Sequence, residues 1–143
     1  MQFVYGGDVC DRGCGDWRIL DDLNNLYDDY PSRVYFILGN RDVNKLRMAV
    51  ELHPIMLAKP GSVYWSPALS EDGGNRVERL KWMLAKTKGS PDGFRYRKEE
   101  LEILGLPCSD DDVVQSYIDQ CDGPDSRILK LLKRGVIAVN IGD

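Results

Sequence analysis

The sequence predicts an α/β fold in which a short, mostly parallel sheet is combined with a helical insert. Three observations support this prediction. First, apolar runs at residues 2–5 and 33–38 flank an amphipathic stretch at residues 15–30, which is the order of a βαβ unit. Second, helical periodicity recurs between residues 54 and 135. Third, residues 136–141 return to an apolar, β-branched pattern that is typical of a strand.

The first third of the chain reads as strand, turn, helix, strand, turn, helix. Residues 2–5 lead into the turn GGDVCDRG, and the following helix places apolar side chains at three- and four-residue steps, with Asp16 as its expected N-cap. Pro31 ends that helix. The run RVYFIL predicts a strand buried on both faces. The turn GNRD at residues 39–42 and a helix at residues 43–53 follow.

The middle of the chain is predicted to be helical after a long loop. Residues 54–75 contain three prolines and are expected to form a loop without regular structure. Ser109 and Asp112 resemble a capping box at the start of a helix. Helices are predicted at residues 77–86, 96–105, 110–121 and 124–135. Trp17, Trp65 and Trp82 are assigned to the core.

These elements predict one domain with three parts, and the composition agrees with one domain. Residues 1–53 form a βαβ half, residues 54–135 a helical insert that caps the site or forms a homo-oligomer contact, and residues 136–143 a returning core strand. The 143 residues are 43% hydrophobic with a net charge of −4, which argues against nucleic-acid binding. The sequence contains neither a membrane-span pattern nor a signal-peptide pattern, so we expect a cytoplasmic protein with reduced cysteines.

Polar residues follow the two predicted strands of the βαβ unit. Asp8 and Asn40 each lie two or three residues beyond a strand end. Adjacent strands lie about 4.8 Å apart, so the two side chains could share one cation or a pair of cations. A carboxylate and an amide oxygen are hard ligands that suit Mg, Mn or Fe and accept Zn. Arg12 could hold a phosphate oxygen through its planar guanidinium.

Two motifs together resemble a known family. GDVCDRG, from Gly7 to Gly13, matches the G-D-x-x-D-R-G element of calcineurin-like metallophosphoesterases, and GNRD resembles their G-N-H-D/E element. VNIGD at residues 139–143 resembles the strand before a later histidine segment of that family. The resemblance implies a partial calcineurin-like phosphoesterase fold. It also implies hydrolysis of a phosphate-ester substrate by a metal-bound hydroxide between two divalent metals.

The resemblance implies roles for residues of the first motif. Asp8 corresponds to the carboxylate that bridges the metals, and Asn40 to the amide ligand of the second metal. Arg12 resembles the arginine that holds the substrate phosphate. Asp11 resembles a supporting carboxylate that contacts this arginine.

In the second motif, Arg41 and Asp42 are the implied catalytic residues. Arg41 stands where the family has histidine, and arginine does not release a proton near neutral pH, so it would stabilise phosphate charge instead of protonating the leaving group. Asp42 resembles the acid that orients the residue before it. The family's opening Asp-x-His strand and its later histidine ligands have no counterpart in this sequence, whose one histidine, His53, matches no motif. The resemblance therefore implies either an internal, inactive piece of a longer phosphoesterase or a chain that lacks the family's first strand.

Each of these residues also has a structural alternative. Asp8 could cap a helix, and Asn40 could adopt a left-handed turn conformation. Arg12 and Arg41 could be ordinary surface arginines, and Asp42, like Asp11, could serve a turn or a cap. A second hypothesis is a non-catalytic scaffold or binding module with a degenerate phosphoesterase site, while an unrelated nucleotide-binding α/β protein is disfavoured because no phosphate-binding glycine motif is present.

Overall fold

The computed structural model describes residues 1–123 and 126–142 and has a mixed α/β fold. About half of the described residues are helical. The elements are β1 (Phe3–Tyr5), α1 (Asp16–Asp29), β2 (Val34–Phe36), α2 (Asn40–Asn44), α3 (Arg47–Glu51), α4 (Pro54–Leu57), β3 (Ser62–Val63), β4 (Ser66–Leu69), α5 (Arg76–Thr87), α6 (Gly93–Ile103), α7 (Asp110–Cys121) and α8 (Arg127–Arg134).

A two-stranded parallel sheet joins the first third of the chain. β1 pairs with β2 in the register Phe3↔Val34 to Tyr5↔Phe36. Val34 and Phe36 are buried, whereas Tyr35 between them is partly exposed. The prediction of a strand buried on both faces is therefore wrong, because α1 and α8 pack against the face that carries Val34 and Phe36.

Two hydrophobic clusters form the interior. The first surrounds the sheet and unites side chains of β2, α1 and α8, namely Leu20, Leu23, Val34, Phe36, Ile128 and Leu131 together with Cys10. The second joins α3 to α5, α6 and α7 around Met48, Leu80, Met83 and Tyr117. All four cysteines are free, as the sequence predicts. Among residues 1–123 and 126–142, every helix is too short or too polar to traverse a bilayer.

The structure corrects two predictions, the loop at residues 54–75 and the strand at residues 136–141. Residues 54–75 are not a plain loop, because they contain α4, which His53 caps, and the antiparallel pair of β3 and β4. The predicted strand at residues 136–141 is reduced to one parallel bridge between Ile37 and Val136. Asp143, the last residue of the predicted returning part at residues 136–143, lies outside the described residues, as do residues 124–125 at the predicted start of the last helix.

Helix starts also differ from the predictions, for reasons that matter at the site. Asp16 is not an N-cap but the first residue of α1, because its carboxylate accepts bonds from the Asp11 amide. GNRD is not an open turn, because α2 begins at Asn40, and the predicted helix at residues 43–53 divides into α2 and α3. Asn40 is therefore not in a left-handed turn. The capping box of Ser109 and Asp112 is confirmed.

Candidate functional site

The turns after β1 and β2 meet at the carboxyl end of the sheet. Asp8 Oδ1 accepts a hydrogen bond from the Arg41 amide at 3.0 Å. Gly39 makes this approach possible, since a Cβ there would collide with the Asp8 carboxylate. Gly7 has a left-handed backbone (φ 86°), and a Cβ on it would lie 2.6 Å from the Gly39 nitrogen. The structure thus brings the predicted ligand Asp8 against the segment that carries Asn40.

The Asp42 carboxylate holds these two turns together. It is 1% exposed and accepts bonds from the amides of Asp8 (2.9 Å), Val9 (3.1 Å) and Gly39 (2.9 Å). A carboxylate this deeply buried and fully occupied by backbone donors has no open side for a substrate. Its contacts are those of a positioning residue that fixes the backbone of Asp8, and they include the bond that caps α2.

The backbone of the first turn is strained where its two aspartates lie. Asp8 and Asp11 have positive φ angles of 57° and 79°, which residues other than glycine rarely adopt. Such conformations persist where surrounding contacts enforce them, and they concentrate at functional sites. Asp8 points to the exposed sheet end, while Asp11 is 1% exposed and points inward.

Asp11 does not pair with Arg12, contrary to the prediction. Its carboxylate forms a buried ion pair with Lys45, and the Tyr117 hydroxyl lies 3.5 Å from the same oxygen. Burial lowers the pKa of Lys45, but the adjacent Asp11 carboxylate more than offsets this, so that pKa lies above its ordinary value. The side chain of Arg12 is exposed and has no hydrogen bond or ion pair within residues 1–123 and 126–142, which leaves it open to a ligand.

A second set of buried charged side chains holds the backbone of Asp11 in place. Arg97 lies 3.1 Å from Asp16 and 3.1 Å from Glu100, and it donates to Gln120 at 2.5 Å. Burial raises the pKa of Glu100. We call these groups the buried ion network; its members are Asp11, Asp16, Lys45, Arg97 and Glu100. Because Asp16 accepts the Asp11 amide, the network ties the first turn to α1, α6 and α7.

Arg41 connects the Asp8 turn with the turn after α5. Its amide binds Asp8, and its guanidinium reaches the turn after α5, where a Cβ on Gly89 would lie 3.4 Å from Arg41 Nη2. The side chain is partly exposed. The described residues give it no ion-pair partner, so its charge is available to a bound anion.

Asp8 and Asn40 have the type of ligand atom that the predicted metal site requires, but two ligands are too few to complete it. Both are exposed, and a carboxylate with an amide oxygen forms a ligand pair suited to a hard divalent cation. In the described part of the chain, no three side chains of His, Cys, Asp or Glu come together as a ready-made metal site. The described residues therefore offer part of a coordination shell at this edge.

A cleft beside Asn40 was not predicted from the sequence. It has a volume of about 600 Å³ and is lined by Asn40, Asn44, Arg47, Thr87 and residues 62–65. Trp65 is 51% exposed there, so its assignment to the core is wrong, whereas Trp17 and Trp82 pack against the helical cluster as predicted. The only sequence signal was the adjacent pair Tyr64-Trp65 in a segment bounded by prolines.

Comparison of this chain with protein-family models, with curated proteins and with solved structures finds no match.

Proposed function

We propose that this chain contributes to a metal-dependent phosphoesterase of the calcineurin-like type. Asp8 and Asn40 hold a divalent cation, and Arg12 and Arg41 contact the substrate phosphate. The observation that supports this most strongly is the hydrogen bond from the Arg41 amide to Asp8, because it joins the two motif turns at one exposed edge. Open α/β sheets bind ligands at this end of their strands.

The chain's own residues divide the work of such a site. Asp42 accepts hydrogen bonds from the amides of Asp8, Val9 and Gly39, which fixes the backbone around Asp8 and thereby sets the direction of the ligand carboxylate. The Asp11–Lys45 pair fixes the next turn and leaves the Arg12 side chain on the surface. A bound divalent metal pair (Mn, Fe, Zn or Mg) would neutralise phosphate charge and activate water.

Arg41 limits the chemistry that this chain can complete alone. A guanidinium stabilises the charge of a phosphate but does not donate a proton to a leaving group near neutral pH. Asp42 cannot replace it as the acid, because its carboxylate is buried and bonded to three amides. We therefore expect weak metal binding and no turnover of a phosphate ester by these residues in isolation.

Arginine at position 41, which does not donate a proton near neutral pH, also favours the second candidate, a non-catalytic module with a degenerate site. In that case the sheet edge would present Arg12 and Arg41 to an anionic partner, and metal would add nothing to binding. The two candidates differ in one property, which is whether the Asp8 carboxylate takes up a divalent cation.

Calorimetric titration with Mn²⁺ tests the proposal. We expect weak binding by the wild-type chain and a loss of at least about tenfold in affinity in Asp8→Asn, which keeps the acceptor for the Arg41 amide but removes the charge. Asp22→Asn, a matched change at an exposed aspartate of α1, should bind like the wild type. Equal Mn²⁺ affinity in all three proteins, or no Mn²⁺ binding by the wild type, would reject the metal site. The non-catalytic scaffold would then be the remaining candidate.

Turnover is tested with an aryl phosphate in the presence of Mn²⁺. The isolated chain is expected to show no hydrolysis above the background of Asp8→Asn. Vigorous hydrolysis that requires Asp8 would keep the phosphoesterase and overturn the inference that the site is incomplete.

A further inference from the structure

The cleft beside Asn40 has two walls of different character. One wall carries the aromatic side chains of Tyr64 and Trp65, at the connection between β3 and β4. The other carries polar side chains of α2, α3 and the end of α5, namely Asn44, Arg47 and Thr87. Its volume of about 600 Å³ lies within the range of small-molecule sites.

The aromatic wall exposes an unusual amount of ring surface. Tyr64 is 97% exposed and Trp65 is 51% exposed, and their rings meet edge to face with centroids 4.9 Å apart. The edge-to-face contact turns the two rings to different directions, so each can present a face to a ligand. An exposed ring face gains free energy when a second flat aromatic ring stacks on it.

The polar wall is held by a chain of hydrogen bonds. Arg47 Nε donates to Glu51 at 2.5 Å, Arg47 Nη1 donates to Asn44 at 3.3 Å, and Asn44 Nδ2 donates to the Thr87 carbonyl at 3.4 Å. These bonds fix the side chains in place before any ligand arrives. Because Glu51 neutralises Arg47, this wall offers hydrogen-bond donors without a free positive charge. Such a wall suits the nitrogen and oxygen atoms of a neutral heterocycle better than a second phosphate.

We propose that this cleft binds the base of a nucleoside phosphate, which stacks on the ring face of Trp65 and meets the nearly perpendicular ring of Tyr64 edge to face, while Asn44 and Arg47 donate to the base edge. Asn40 lines the cleft and also belongs to the proposed metal site, so the base and the phosphate can occupy neighbouring positions. The placement of the phosphate depends on the proposed function, whereas binding of the base does not.

The test measures equilibrium binding of three probes, which are adenosine, adenosine 5′-monophosphate and ribose 5-phosphate, each with and without Mn²⁺. The monophosphate should bind at least about tenfold more tightly than ribose 5-phosphate, since only the former has a base to stack. Trp65→Ala should weaken the binding of adenosine by about 5- to 150-fold, and Tyr64→Ala, which removes only an edge-to-face contact, should weaken it less. Tyr30→Ala removes an exposed tyrosine at the end of α1 and should leave binding unchanged. Circular dichroism of each variant confirms that the fold is intact.

The outcomes separate the two proposals. Adenosine binding that needs Trp65 but is indifferent to Mn²⁺ and to Asp8→Asn, with no gain from the phosphate, would keep the base site and reject the phosphoesterase. Binding of both phosphate compounds with equal, Asp8-dependent affinity, unaffected by Trp65→Ala, would keep the phosphoesterase and reject the base site. No binding of adenosine at millimolar concentration would also reject the base site.

Discussion

Two sets of polar side chains in the segments that follow β1 and β2 have opposite environments. Asp8 and Arg12 of the first turn are exposed, and so is Asn40 at the start of α2. Asp11, between Asp8 and Arg12 in the sequence, is 1% exposed and paired with Lys45 inside the protein. Asp8 and Asp11 are thus only three positions apart, yet one charge faces solvent and the other is enclosed.

The difference teaches which charges serve the fold and which remain available for chemistry. The buried ion network is costly to place inside the protein and is tolerated because its members compensate one another. The exposed side chains have little to contribute to stability, so the strained backbone at Asp8 calls for another explanation, and ligand binding is the one we propose. Mutations in the two sets should therefore affect different measurements.

The largest expected effect is a loss of stability on mutation of the buried ion network. Lys45→Met leaves the Asp11 carboxylate buried without its partner, and we expect the free energy of unfolding in urea to fall by about 3–5 kcal/mol. The double variant Lys45→Met with Asp11→Asn should recover at least about half of that loss, because asparagine removes the uncompensated charge and tolerates the positive φ at this position. A loss below about 1 kcal/mol in the single variant would contradict the assignment.

Asp42→Asn should affect both stability and metal binding, because the Asp42 carboxylate is buried and also accepts the amide of the ligand residue Asp8. The substitution replaces one acceptor oxygen by an amide donor that faces backbone N–H groups. We expect a loss of about 2–3 kcal/mol in the free energy of unfolding, together with weaker Mn²⁺ affinity through displacement of Asp8. Unchanged Mn²⁺ affinity in a destabilised variant would show that Asp42 does not position the ligand.

The buried side chain of Lys88 predicts that the stability of the fold depends on pH, with no contribution from the exposed site residues. Its Nζ has no hydrogen-bond partner in the described part of the chain, and burial, reinforced by the charge of Lys45, lowers its pKa to about 7, against a partial offset from Asp11. The unfolded chain keeps this proton to a much higher pH, so folding releases a proton above pH 7 and stability rises with pH.

The measurement is urea unfolding of the wild type and Lys88→Met between pH 7 and 8.5. The wild-type free energy of unfolding should rise relative to that of the variant by at most about 1.4 kcal/mol per pH unit. The variant should be the more stable protein at pH 7, where the wild type still bears part of the cost of a buried charge. A constant difference between the two proteins across this range would contradict the assignment.

The smallest effect on stability is expected at the exposed edge. Arg12→Ala should change the free energy of unfolding by no more than about 0.5 kcal/mol, because the guanidinium has no partner within the described residues. The same variant should lose about tenfold or more in affinity for inorganic phosphate in the presence of Mn²⁺. The reverse pattern, with lost stability and unchanged phosphate affinity, would place Arg12 among the structural residues.

The sequence predicted elements whose cause is local and missed those whose cause is distant. The capping box of Ser109 and Asp112 and the helices near residues 16–29, 76–87 and 93–103 follow from periodicity and end signals within each segment. The hairpin of β3 and β4 was hidden by its prolines, since its strands are short and depend on pairing with each other.

The same distinction explains the candidate site. The contact between the turns of Asp8 and Asn40 could be expected, because parallel neighbours place their carboxyl ends at one edge. The partner of Asp11 could not, because Lys45 is 34 positions away and several nearer cations were possible. The exposure of Trp65 was equally hidden, since a tryptophan is usually buried and only the tertiary structure shows a ring left at the rim of a cleft.

The most direct test of the central claim is paramagnetic broadening of backbone amide signals by substoichiometric Mn²⁺. If Asp8 and Asn40 hold one cation, the amides of residues 7–9 and 39–41 should broaden together and before any others, and Asp8→Asn should abolish the effect at both turns. Broadening of one turn without the other, or first broadening at the acidic run of residues 110–112 with both turns unaffected, would contradict a shared site.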